Sequence, residues 1–171
     1  VNSYLRRYFY TILAAATYMV IHEGAHIIQA LYLGVFEGIR VLPLGIEVLI
    51  TQPLTIGGLT LALFSGLSSV LTISLGYLLL WLMPRILQLK SQPLQIYCYY
   101  VTLVFLLVDP FYISLISFFV GGDINGIAKG LNLSYGIIRA FYLLIALVNF
   151  YLVRKKLYPT YVSAAKNVTA G

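Results

Sequence analysis

Carboxylates are nearly absent from this chain. There are five in 171 residues, and charged residues of both signs make up only 9%. A soluble domain carries about 25% charged residues. With 61% hydrophobic residues and a mean hydropathy of +0.93, the composition excludes an ordinary soluble domain and predicts a membrane protein. Cysteine is also scarce. The single Cys98 excludes an internal disulfide, and its place among tyrosines in an apolar run reads as packing. The net charge of +6 would point to nucleic acid in a soluble protein. Here no arginine-rich stripe or RNA-binding signature accompanies it. The basic residues instead flank apolar runs, as the positive-inside bias requires. Nucleic acid is therefore set aside as a partner, and the lipid bilayer is expected.

What the chain has in abundance is long apolar runs. Four are expected to span a membrane, at about 8–33, 57–83, 94–120 and 135–153, each supplying the ~20 residues a crossing needs. Gly34 reads as the cap that ends the first. Pro84 and Arg85 close the second, and Arg154, Lys155 and Lys156 stop the fourth, leaving a loosely ordered tail. Asp109-Pro110 lies near the middle of the third. Residues 121–134 form a Gly-rich polar break. Residues 36–56 differ: they are rich in β-branched residues and read as two short strands around Pro43-Leu44-Gly45. In lipid such a hairpin must lie in the interface or be covered by protein. The expected fold is a single all-α polytopic membrane domain, with about four transmembrane helices and a short membrane-associated β-hairpin after the first. Gly66, Ser68, Ser69, Ser74 and Gly76 read as close-packing positions. The fifteen tyrosines and one tryptophan read as interfacial belts. Arg6-Arg7 before Ala14, Ala15 and Ala16 imitates a signal peptide, but the apolar run continues to Leu33 and favours a retained span. Arg6, Arg7, Arg85, Lys90, Arg154, Lys155, Lys156 and Lys166 fall on one side of the four-span arrangement. This predicts a multi-pass protein of the cell membrane with both termini cytoplasmic.

Both histidines of the chain lie in the first run, as His22-Glu23-Gly24-Ala25-His26. On a helix, positions i and i+4 share a face, so two imidazoles can hold one metal ion. The intervening glutamate can take a proton from an activated water. Zinc hydrolases use three protein ligands and keep one position open. With no third histidine, a carboxylate must complete the set. Glu37 and Glu47 belong to the hairpin and are explained as interfacial charges. Asp123 has glycines on both sides and opens a helical segment, where the helix dipole favours an anion. Asp109 sits deeper, and an intramembrane acid is a functional candidate in its own right, as ligand or proton relay. Asp123 is favoured as third ligand and Asp109 remains the alternative.

His-Glu-Gly-Ala-His in a membrane helix, Val-Leu-Pro-Leu-Gly-Ile-Glu-Val just after it and Gly-Gly-Asp-Ile-Asn-Gly-Ile a hundred residues on resemble the site-2 protease family of intramembrane zinc metalloproteases, in a minimal form without a PDZ insertion. The resemblance covers roughly residues 8–131. It departs from the family in the Gly24-Ala25 order, since Gly usually precedes the second histidine directly, and in Gly121-Gly122, where Asn and Pro are common. It implies one zinc ion per chain held by His22, His26 and Asp123, with Glu23 as catalytic acid and base. It implies hydrolysis of peptide bonds in transmembrane proteins or peptides. The hairpin would present the substrate as an added strand through Val41, Leu42 and Val48. The family's zinc lies nearer the cytoplasm, whereas the charge pattern puts these motifs in the outer half of the bundle. The competing readings are an inactive zinc-binding relative and a structural or transport subunit of a membrane complex. Against transport, the chain shows no inverted repeat.

Overall fold

In lipid no water pairs with the backbone, so an apolar run satisfies its own amides only as a helix. The computed structural model describes residues 3–42, 45–51 and 57–169, and the long apolar runs are helical throughout. Helix α1 spans Ser3–Tyr32. It ends as Gly34 predicts: Gly34 takes φ +68°, its N–H donates to Leu31 O and the Val35 N–H donates to Ala30 O. This pair of bonds satisfies the last carbonyls in a Schellman turn. Strands β1 (Phe36–Leu42) and β2 (Gly45–Ile50) pair antiparallel, with Arg40 opposite Glu47 and Ile39 opposite Val48. The register shifts between Phe36 and Gly38, so Glu37 sits in a bulge. Pro43 and Leu44, the predicted turn, lie outside the described residues, as do residues 52–56.

Helix α2 (Gly58–Ile86) follows, then α3 (Gln92–Phe111), a π-helical turn (Tyr112–Ile116) and the short α4 (Ser117–Val120). Helix α5 is Asp123–Leu131 and α6 is Tyr135–Leu152. A second π-helical turn (Val153–Leu157) leads into α7 (Tyr158–Thr169). Four stretches are long and apolar enough to cross a membrane: Tyr4–Tyr32, Gly58–Ile86, Gln92–Val120 and Tyr135–Ala165. The expected architecture of four such helices with a hairpin after the first is therefore present.

Two expected boundaries are corrected. Pro84 does not end α2, which runs on to Ile86. Proline removes one N–H donor near the helix end, where few bonds remain to lose, and Met83 and Ile86 are buried there. Arg154, Lys155 and Lys156 do not stop the last helix. Charge marks departure from an apolar environment and does not break a helix. These three side chains are exposed while Val153 and Leu157 on the same turn are buried, and the expected loose tail is helical through Thr169. Within the polar break, Asp123 opens a helical segment as expected, and α5 occupies most of the break.

Without a hydrophobic drive between helices in lipid, close approach and polar pairing must hold the bundle. Gly76 lets α2 approach α3: a Cβ there would meet Leu106 atoms at 3.0–3.2 Å. Pro110 has no N–H for the Leu106 carbonyl one turn earlier. Asn149, fully buried on α6, supplies the missing donor at 2.6 Å and accepts from the Tyr77 hydroxyl at 2.5 Å. One side chain thereby ties α2, α3 and α6 together. The helix ends bearing the basic residues, at the start of α1, the end of α2, the start of α3 and around α7, lie away from the hairpin and α5.

Candidate metal centre

The centre forms where one face of α1 meets the start of α5. His22 and His26 share that face, and both are buried. The chain reaches α5 through Gly121 and Gly122, at φ +67° and +83°. Side chains rarely adopt this region, and a Cβ on Gly122 would also collide with the Tyr112 hydroxyl. That tight reversal makes Asp123 the first residue of α5. The helix is then pressed onto α2 by further glycines. A Cβ on Gly126 would overlap Ser65, and one on Gly130 would overlap the backbone of Gly58 and Ala62. The glycines around Asp123, read from sequence as permitting close approach, do so at Gly126 and Gly130.

The carboxylate of Asp123 faces both imidazoles. His22 Nε2 lies 3.3 Å from Oδ2 and His26 Nε2 lies 3.5 Å from Oδ1. One ligand atom from each of the three residues falls within 4.8 Å of the others, so this group could hold a metal ion. Burial alone would raise the Asp123 carboxyl, but hydrogen bonds from His22 and His26 outweigh it and hold the group well below the usual carboxylate range. Glu23 is half-buried on the same turn of α1.

Among known proteins, the chain matches no family model, no curated protein and no solved structure. The chemistry of this site therefore rests on its own atoms.

Asp109 is brought to the same centre, but to its far side. It is completely buried, and its Oδ1 lies 3.3 Å from His22 Nδ1, the ring nitrogen pointing away from Asp123. The Tyr18 hydroxyl donates to Oδ1 at 2.6 Å and lies 3.2 Å from His22 Nδ1. Thr72 donates to Oδ2. The two aspartates that compete in the sequence thus occupy the two edges of one imidazole. A buried carboxylate on the outer nitrogen of a ligating histidine fixes its tautomer and ring orientation.

Sequence reasoning missed three contributors. The Ser68 hydroxyl lies 3.0 Å from His26 Nε2, and Tyr18 and Thr72 satisfy Asp109. A signal for them existed. Ser65, Ser68, Ser69 and Thr72 follow i, i+3, i+4, i+7 spacing and all are buried, so α2 turns a hydroxyl stripe inward. Tyr18 precedes His22 by four residues and shares its face. His26 Nδ1 has no hydrogen-bond partner among the described residues. The hairpin contributes no ligand: Glu47 is half-exposed and engages Arg40 at 3.3 Å, as the interfacial reading expects.

Proposed function

We propose that this protein is an intramembrane zinc metalloprotease that hydrolyses peptide bonds of membrane-spanning substrates. The observation that carries the reading is the convergence of two imidazoles, with a glutamate beside them, from a helix apolar enough to cross a membrane with the Asp123 carboxylate at the start of α5. One ligand atom from each of His22, His26 and Asp123 lies within 4.8 Å of the others, close enough for the three to share one ion. Two nitrogens and one oxygen are also a ligand set that leaves zinc a position for water.

When bound, a zinc ion supplies Lewis-acid polarisation of water and of the scissile carbonyl. Glu23 takes the proton of the attacking water and passes it to the leaving amide nitrogen. Asp109 holds the His22 ring in the tautomer that leaves Nε2 free to ligate. Gly122 and Asn125 are exposed beside Asp123 and offer water a polar edge. The strands that carry Val41, Leu42 and Val48 supply backbone to an extended substrate, which a helical segment becomes only after unwinding.

Glu23→Gln separates chemistry from metal binding. The variant is expected to retain one zinc per chain by elemental analysis and to lose at least about 100-fold in cleavage of a transmembrane peptide in proteoliposomes. Full activity would remove Glu23 from the mechanism. Zinc bound by a wild-type protein that cuts no membrane substrate would leave an inactive relative.

A further inference from the structure

A second cavity, of about 410 Å³, opens at the basic end of the bundle, between the start of α1, the start of α3 and α7. Its lining includes Arg6 and Arg7 at the mouth side of α1, the aromatic rings of Tyr99 and Tyr161, and an apolar wall with Ile96 and Val162. Tyr99 and Tyr161 pack edge to face, 5.1 Å between centroids. The Tyr161 hydroxyl is buried and has no hydrogen-bond partner among the described residues.

Among the described residues, no Asp or Glu side chain pairs with the two arginines, and Arg7 lies over the Tyr4 ring at 6.0 Å. The five acids of the chain are Glu23 and Asp109 in the spans, Glu37 and Glu47 in the hairpin, and Asp123 on α5. None is at the end where α1 begins. Among the described residues, no carboxylate forms an ion pair with Arg6 or Arg7, and the ion pair of Arg40 is with Glu47 on the hairpin. A cavity with two guanidiniums and an apolar wall, at a bundle end that carries no Asp or Glu, where helices long enough to span a membrane begin, matches one ligand chemistry: a phosphate ester attached to hydrocarbon. Guanidinium forks bind phosphate in bidentate fashion, and basic pockets between membrane helices take anionic head groups.

We propose that this cavity is a binding site for an anionic phospholipid. Arg6 and Arg7 hold the phosphate, and the acyl chain lies along Ile96 and Val162. The site is independent of the metal centre, which lies in the other half of the bundle.

The test uses the delipidated full chain in detergent, titrated with dioleoyl phosphatidylglycerol or dioleoyl phosphatidylcholine and read by native mass spectrometry and thermal melting. One phosphatidylglycerol per chain is expected, with a rise in Tm that phosphatidylcholine does not give. Arg6→Gln with Arg7→Gln, both exposed and outside the core, should weaken retention roughly tenfold or more. Arg85→Gln with Lys90→Gln removes equal charge from the same end, outside the cavity, and should leave retention intact. Equal binding of phosphatidylcholine, or equal loss in the two double variants, would overturn the site. Displacement of the lipid by millimolar inorganic phosphate would reassign the cavity to a soluble phosphate and equally overturn the proposal.

Discussion

Asp109 and Asp123 show how one residue type takes two roles through its surroundings. Asp123 faces the Nε2 atoms of both histidines, and the three together could hold a metal ion. Asp109 is enclosed by Tyr18, Thr72 and the outer edge of His22. Their substitutions should therefore differ in kind. Asp123→Ala is expected to abolish stoichiometric zinc binding. Asp109→Asn should keep a site but weaken it by about 10–100-fold, the usual cost of losing an outer partner of a ligating histidine. A competition titration against a zinc chelator measures both. Equal loss in the two variants would mean that Asp109 is itself a ligand.

Among the elements, α5 is the one whose placement decides the site. Its nine residues are too few to be stable alone, and it is fixed by packing onto α2. Gly130→Ala puts a methyl group into the backbone of α2 and is expected to cost about 1–3 kcal/mol, shift α5 and lower zinc affinity with it. Gly24→Ala meets nothing within 4 Å and serves as the stability control, with denaturant melts as the readout. The hairpin is a separate unit, tied to the end of α1 by bonds between Thr51 and Val35. If it presents substrate, Val48→Pro removes a backbone donor from β2 without touching the metal ligands. Cleavage of a helical substrate should then fall while zinc content stays at wild type. Unchanged cleavage rates would remove the hairpin from substrate binding.

Over the whole molecule, chemistry and charge are segregated. The group that could hold a metal ion and the hairpin share one half, and Arg6, Arg7, Arg85 and Lys90 lie at the helix ends of the other. A metal ion held there would cross-link α1 and α5, whose candidate ligands lie about a hundred residues apart in sequence. Binding to the folded state alone stabilises by mass action, about 2.7 kcal/mol at a zinc concentration a hundredfold above Kd. Chelation should thus lower the Tm of the wild type and leave that of Asp123→Ala unchanged, as differential scanning in detergent would record.

The sequence by itself determined the helices and the hairpin, because apolar length, β-branched runs and the Gly34 cap are local properties that a bilayer or a turn reads directly. It also placed His22, Glu23 and His26 on one helix, since their spacing is the period of that helix. It misjudged where helices end at Pro84 and at Arg154–Lys156, because neighbouring packing outweighs local signals there. Only the tertiary structure decided how Asp109 and Asp123 divide around His22. Local signals favoured Asp123 as the ligand, but nothing local shows that Asp109 reaches the same histidine from its other edge. The difference arises from the reversal at Gly121-Gly122 and the seating of α5 on the small residues of α2, which set one carboxylate on each edge of the same imidazole ring.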